Sequence, residues 1–440
     1  MNILIFAKQK DIQMIKTLIL TISIAAAIPA SAQLTLSECQ RLAHDNYPAI
    51  RQYRLTEQSR DYTVENAAKG WMPQVSLSAR ATYQSDVTQI PIRIPGIDMS
   101  GLGMSKDQYD ASATVSQAIF DGGKIASAQR TARAEAEVSK TQTDVTLYSI
   151  RERVEQLFFG VLTIDVQSEQ TQLLLNDLEI SRRTVESLIR GGMASQTDAD
   201  AISVERLQTE QRQGSLAAQR RSYLTMLGSF IGRELSGSTK LTTPLPSTPS
   251  PNPSTLIPNP AQRPELSMYD ARLSLLNAHE KTLDTRLRPQ IGAFLTGGYG
   301  RPGLNMLKDK FALYYKVGVS MTWNFGALYT RKNDKLRLAT ERQSVETERA
   351  TFLLNNRLQR ENAEGTLADL QQQITRDEEI VTLRERILAT TRKKVSGGTE
   401  TVNELLRKVN DVSRARLQKA LHKVQLMREE QRLRTINGEL

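Results

Sequence analysis

The chain is poor in the residues that build chemistry. It has a single cysteine, Cys39, and three histidines, His44, His279 and His422. One thiol can form no intrachain disulfide and no cysteine-based metal site. The histidines are scattered, with no acid or cysteine at ligand spacing, so the sequence writes neither a metal centre nor a Ser-His-Asp arrangement. Aromatic residues are scarce at 5%, and hydrophobic residues make up only 39% of 440. That is thin for a thick globular core. Beyond residue 32 no stretch has the roughly 18 apolar residues of a membrane-spanning helix. Charged residues, at 24%, suit long solvent-exposed helices. Their net +10 raises the question of nucleic acid. Stretches such as "RQYRLTEQSRDY" and "LRERILATTRKK" alternate signs instead of forming a basic stripe with stacking aromatics, so no nucleic-acid partner is expected.

Residues 1–32 read as a signal peptide region. "MIKTLILTISIAAAIPASA" begins at Met14 with a lysine, runs through apolar residues and ends Ala30-Ser31-Ala32. That pattern predicts export, with cleavage near Ala32/Gln33 and either Met1 or Met14 as the start. Cys39 follows closely. Glu38 stands where a lipoprotein signal wants a small residue, so a free thiol on a helix is the expectation, with modification left open.

Four segments alternate with period two, which predicts strands with one apolar and one polar face. "VSLSARATYQ" sets Val75, Leu77, Ala79, Ala81 and Tyr83 against Ser76, Ser78, Arg80 and Thr82. "YDASATVSQAIF" sets Tyr109, Ala111, Ala113, Val115 and Ile119 against Asp110, Ser112, Thr114 and Ser116. "QIGAFLTGGYG" is glycine-rich, with Ile291, Ala293, Leu295 and Tyr299 on one side. "FALYYKVGVSMTWNF" sets Phe311, Leu313, Tyr315, Val317, Val319 and Met321 against Lys316, Gly318, Ser320 and Thr322. Such lengths match a tilted outer-membrane strand better than an ordinary soluble one. Aromatics also gather at strand ends. Tyr83, Tyr109, Tyr299, Phe311 and Tyr315 make one belt, and Trp71, Phe120, Trp323 and Phe325 the other. Two girdles around an apolar band predict a membrane barrel. Four strands cannot close one, so several chains must share it.

The rest is helical. From Ile125 to Arg190 there is no proline and one glycine, and Ile150, Val154, Leu157, Val161 and Ile164 step by four and three. This predicts a coiled-coil seam along a helix about 100 Å long. Shorter helices are expected at about Leu36–Gly70, Thr197–Ile231 and Arg263–Arg288. A second long one spans about Arg331–Val395, and a last one Thr399–Asn437. "GGMASQTDAD" at 191–200 and "GGTETVNELL" at 397–406 interrupt the two long runs alike. Glycine permits a turn, and hydroxyl and acidic residues cap the helix that follows, so each is the tip of a helical hairpin. Together these features predict an internal two-fold repeat. Residues 33–235 carry a helix, a strand pair (72–85 and 108–120) and a hairpin with its tip near 191–197. A Pro-rich linker, 236–264, joins them to residues 265–440, with a strand pair (290–300 and 311–326) and a tip near 396–401.

Two motifs have structural explanations. "GYGRPG" at 298–303 fits a dinucleotide fingerprint, but Pro302 and the residues after it open no helix. "DGGK" at 121–124 lacks the remainder of a phosphate loop and marks the passage from strand to helix. Carboxylates on amphipathic helices usually face solvent, so no catalytic residue, no cofactor and no enzyme activity are expected.

In order along residues 34–438, "LTLSECQRLAHDNYPAIR", "MPQVSLSARATY", "VSQAIFDGGK", "FFGVLTIDV", "RGGMASQTDAD", "VGVSMTWNFG" and "VSGGTETVNELL" resemble the TolC-like outer-membrane efflux proteins. The resemblance implies an α+β membrane protein, a homotrimer with a shared 12-stranded barrel in the outer membrane of a Gram-negative bacterium and a helical tunnel in the periplasm. It implies a passive exit channel in a tripartite efflux system. Gly191, Gly192, Gly397 and Gly398 match the family's docking turns for a periplasmic adaptor (membrane fusion) protein, which links the channel to an inner-membrane pump of RND or ABC type. The family's periplasmic gate carries acidic residues near the second tip, where this chain has Asn403 and Leu406. The candidate gate residues are therefore Asp198, Asp200, Glu400, Asn403 and Glu404, with Glu404 and Asp198 expected to line the constriction. Two alternatives stand beside efflux: a channel for type I protein secretion, and a periplasmic coiled-coil scaffold that is no channel.

Overall fold

A computed structural model describes residues 34–87, 104–242, 263–306 and 308–439. The expected signal region and residues 243–262 of the expected linker lie outside them. In chain order the elements are α1 (Leu36–Asn46), α2 (Ile50–Ala68), β1 (Gln74–Tyr83), β2 (Asp107–Phe120), α3 (Lys124–Arg190) and α4 (Gln196–Ile231). They continue with α5 (Pro264–Thr285), β3 (Gln290–Arg301), β4 (Ala312–Thr322), α6 (Ala327–Ser396) and α7 (Val402–Asn437). Among the described residues no helix is long and apolar enough to cross a membrane.

One expected helix is in fact two. The run from Leu36 to Gly70 breaks at Tyr47, whose backbone is extended (φ −64°, ψ 130°). Pro48 follows and disfavours helical geometry in the residue before it. Thr35 caps α1 by accepting the Glu38 N–H at 3.2 Å, as an N-cap hydroxyl should.

The chain divides into two compact units. The first takes in α1, the C-terminal part of α3, α4, the C-terminal part of α6 and nearly all of α7. Its apolar residues form two clusters. Cys39, Ala43, Val154, Phe158, Phe159, Val161, Leu224 and Leu227 make one, and each is at most 2% exposed. Phe158 and Phe159 meet edge to face at 5.9 Å, a favoured aromatic geometry. The other cluster joins Leu178, Val185, Ile202, Leu388, Val395, Leu405, Val409 and Val412. These residues recur every three, four or seven positions along four helical segments, the spacing of a coiled-coil seam. Charge also ties this unit together. Asp177 on α3 receives Arg392 of α6 at 2.7 Å and Arg416 of α7 at 3.1 Å.

The second unit holds α2, the N-terminal parts of α3 and α6, α5 and the sheet. The sheet has four strands in the order β1-β2-β3-β4, each antiparallel to its neighbour. Beside it Arg331 of α6 reaches Asp284 of α5 at 2.9 Å. Hydrogen bonds from Arg331 hold the Asp284 carboxyl below its usual range.

Candidate membrane face and hairpin tips

The strand registers bring the alternating apolar residues into common rows. Val75 pairs with Val115, Val115 with Leu295 and Leu295 with Val317. Ala79, Ala111, Tyr299 and Leu313 form another row, and Leu77, Ala113, Gly297 and Tyr315 a third. One face of the sheet is therefore apolar across all four strands. Nothing in the chain covers it among the described residues: Leu77 and Leu313 are each 83% exposed, and Val317 is 73% exposed. The opposite face is polar. Ser78 and Ser112 are 3.0 Å apart, Thr114 and Thr296 are 2.9 Å apart, and the Tyr314 hydroxyl donates to Asp110.

The registers also locate the belt residues. Tyr83, Tyr109 and Tyr299 lie toward one end of the sheet, where Phe311 stacks on Tyr109 at 6.1 Å and on Tyr299 at 5.4 Å. Tyr315 stands nearer the middle, level with Leu77 and Gly297. Trp71, Phe120, Trp323 and Phe325 lie at the other end; the last two rings are 4.7 Å apart, and the Trp323 indole donates to Leu287 O at 2.9 Å.

Strict alternation assigned Ile119 to the apolar side of β2. A register shift between Ala118 and Phe120 instead sets Phe120 opposite Ile291, so Phe120 joins the apolar row with Met321. A bulge adds one residue to one strand and restarts its alternation. Two aromatics also occupy the polar face: Tyr314 packs over Gly298, and Phe294 over Gly318. A Cβ on Gly298 would come within 2.4 Å of the Tyr314 ring, so the glycine makes room for its neighbour.

Both hairpin tips end their long helices in the same turn. Gly192 and Gly398 take the left-handed conformation, at φ 71° and 72°. Met193 N–H donates to Leu188 O at 2.9 Å and Gly192 N–H to Ile189 O at 3.0 Å. Thr399 N–H donates to Lys394 O and Gly398 N–H to Val395 O, each at 3.0 Å. These are two copies of one Schellman motif in the same register. The four tip glycines are exposed. The tips lie side by side: a Cβ on Gly398 would stand 3.7 Å from Met193 Sδ.

The acids beside the tips have local partners. The Asp198 carboxylate accepts the Ser195 N–H at 2.9 Å and the Ser195 hydroxyl at 2.7 Å, closing the start of α4. Asp200 accepts Gln196 Nε2 at 3.0 Å. Glu404 accepts Arg407 at 2.5 Å and Lys408 at 3.0 Å on its own helix. The hydrogen bonds from Arg407 and then Lys408 hold its carboxyl below the usual range. Asn403 is exposed and Glu400 half-buried. Cys39 is fully buried, and burial pushes its thiol up to about 12. Among the described residues no group of three or more His, Cys, Asp or Glu could hold a metal ion.

The sequence model of the outer membrane efflux protein family matches residues 40–233. No curated protein matches the sequence. Solved structures match in fold. The outer-membrane channel OprN is 16% identical with a TM-score of 0.67, over 92% of this chain and 90% of that one. The outer membrane protein VceC from Vibrio cholerae is 13% identical, TM-score 0.65, over 92% and 96%. The MtrE outer membrane channel of Neisseria gonorrhoeae, solved in its open state, is 14% identical, TM-score 0.62, over 92% and 89%. Over residues 40–233 the sequence is similar to the outer membrane efflux protein family, and the four-stranded sheet with long helices has the fold of these outer-membrane channels.

Proposed function

We propose that this protein is a passive outer-membrane exit duct, a homotrimer whose three sheets close one 12-stranded barrel. The observation that carries this reading is the uncovered apolar face, continuous across four strands and edged by aromatics. In water that surface would be a severe aggregation liability, whereas lipid covers it at no cost. Strands β1 and β4 have free edges among the described residues. A free edge cannot remain unpaired in hydrocarbon, so β4 of one copy pairs with β1 of the next. The helices would then form a periplasmic tunnel, and the internal repeat would supply its matching hairpins. Substrates would enter from an inner-membrane pump through an adaptor that docks on the tips at Gly191, Gly192, Gly397 and Gly398.

Envelope fractionation and planar-bilayer recording of the detergent-purified protein test the reading. Outer-membrane partition, a trimeric mass in detergent and discrete conductance steps are expected. Recovery without detergent and without channels would instead establish a periplasmic scaffold.

A further inference from the structure

The polar face of the sheet carries few charges, and they are unbalanced. Its charged strand residues are Arg80 on β1, Asp110 on β2 and Lys316 on β4. Arg80 stands opposite Asp110 in the register, although among the described residues no ion pair joins the two side chains. Asp110 is instead occupied by the Tyr314 hydroxyl. Lys316 has no acid in its row: its cross-strand neighbours are Thr296, then Thr114 and Ser76. Its ammonium lies 5.4 Å from the Tyr314 ring centroid, within cation–π range. Among the described residues neither Arg80 nor Lys316 has a carboxylate partner, and both are exposed.

We infer that Lys316, seconded by Arg80, makes the inner wall of the barrel select for anionic solutes. The inference rests on the duct reading, which puts the polar face toward the lumen. Repeating the sheet around a closed barrel repeats the excess positive charge. Rings of lysine or arginine are how pores favour anions, because a low-dielectric wall focuses the field into the water column. The Lys316 ammonium rests by the Tyr314 ring, whose hydroxyl is held by the Asp110 carboxylate, so the charge stays at the wall.

The test is the reversal potential of the full-length protein in planar bilayers under a potassium chloride gradient. Lys316→Gln should lower the chloride-to-potassium permeability ratio at least twofold, and Lys316→Glu should lower it further. Asp110→Asn should shift the ratio the opposite way. Every other charged ring is common to all four proteins, so the differences report this face alone. Equal reversal potentials in channels that open normally would overturn the inference and leave the duct standing. Absence of channels from the unmodified protein would overturn both.

Discussion

The sheet and the helical seam use the same residue types in opposite ways. In the seam, Val154, Val161, Leu178, Val185 and Val409 are wholly buried by the chain itself. In the sheet, Val75, Leu77, Leu313 and Val317 are more than two-thirds exposed. Periodicity accounts for the contrast. A spacing of three and four turns apolar residues toward another helix of the same chain, while a spacing of two gathers them on a flat face that four strands cannot fold shut. The seam is therefore stabilised by folding in water. The sheet's apolar face gains nothing from the chain's own folding, and on the proposed reading it is stabilised by entering a membrane.

The largest effects should separate these two sources of stability. Phe158→Ala opens a cavity in a core where nothing collapses easily, and should cost about 3–5 kcal/mol. The loss should appear in detergent and in lipid alike, read as an earlier denaturant midpoint. Leu295→Arg changes the centre of the apolar face, in the row of Val75, Val115 and Val317. An arginine there should cost about 2–4 kcal/mol per chain in a bilayer. Its signature is a fall in outer-membrane assembly with helical melting left unchanged. If Leu295→Arg also lowered helical melting outside lipid, the contrast between the two faces would fail.

A smaller effect sharpens the picture of the helical unit. Glu155, only 6% exposed, lies where its carboxylate accepts the Thr435 hydroxyl at 3.3 Å. Burial pushes its carboxyl up to about 7, with Glu152 and Glu429 adding to the rise. Below its unfolded pKa, near 4.5, both states hold the proton and Glu155 costs nothing. As pH climbs from there to 7 the unfolded chain releases the proton first, so stability falls through that window and then levels. Glu155→Gln keeps the shape and removes the titration. It should match the unmodified protein near pH 4 and exceed it by about 3 kcal/mol at pH 8, in chemical denaturation at the two pH values. Equal stability at both would mean the site is solvated in solution.

Much of this was legible because it depends on local periodicity. Val154 and Val161 announce the seam by their spacing, Leu77 and Val317 announce the apolar face of the sheet by alternation, and the two Gly-Gly pairs announce the turns. What escaped depends on pairing between distant segments. Nothing within "SQAIF" says that Phe120 rather than Ile119 faces the apolar side; the bulge is decided by its register against Ile291. Alternation puts Tyr314 and Phe294 on the polar face, but that Gly298 and Gly318 make room there for their rings shows only across the strand. The break at Tyr47 is readable from Pro48, which disfavours helix in the residue before it. The partners of the tip acids were not readable, since a carboxylate at the start of a helix can cap it, pair along it or face the solvent.

That last ambiguity bears on the candidate gate, where the smallest effect is expected. Asp198 and Glu404 occupy comparable places after the two tips, but Asp198 closes its helix start, while Glu404 lies between Arg407 and Lys408. A carboxylate flanked by two cations on its own helix contributes no net negative charge to a lumen. Arg407 is exposed while Glu404 and Lys408 are half-buried, and such pairs along one helix add little to stability. Glu404→Gln should therefore leave melting and conductance nearly unchanged, and should shift ion preference, if at all, toward anions. Asp198→Asn removes an uncompensated charge and weakens a capping box, so its effect on conductance should exceed that of Glu404→Gln. Single-channel recording of the two variants side by side decides between them. If Glu404→Gln altered gating more than Asp198→Asn, Glu404 must leave Arg407 and Lys408 when the duct assembles, and the constriction would be built on the second tip.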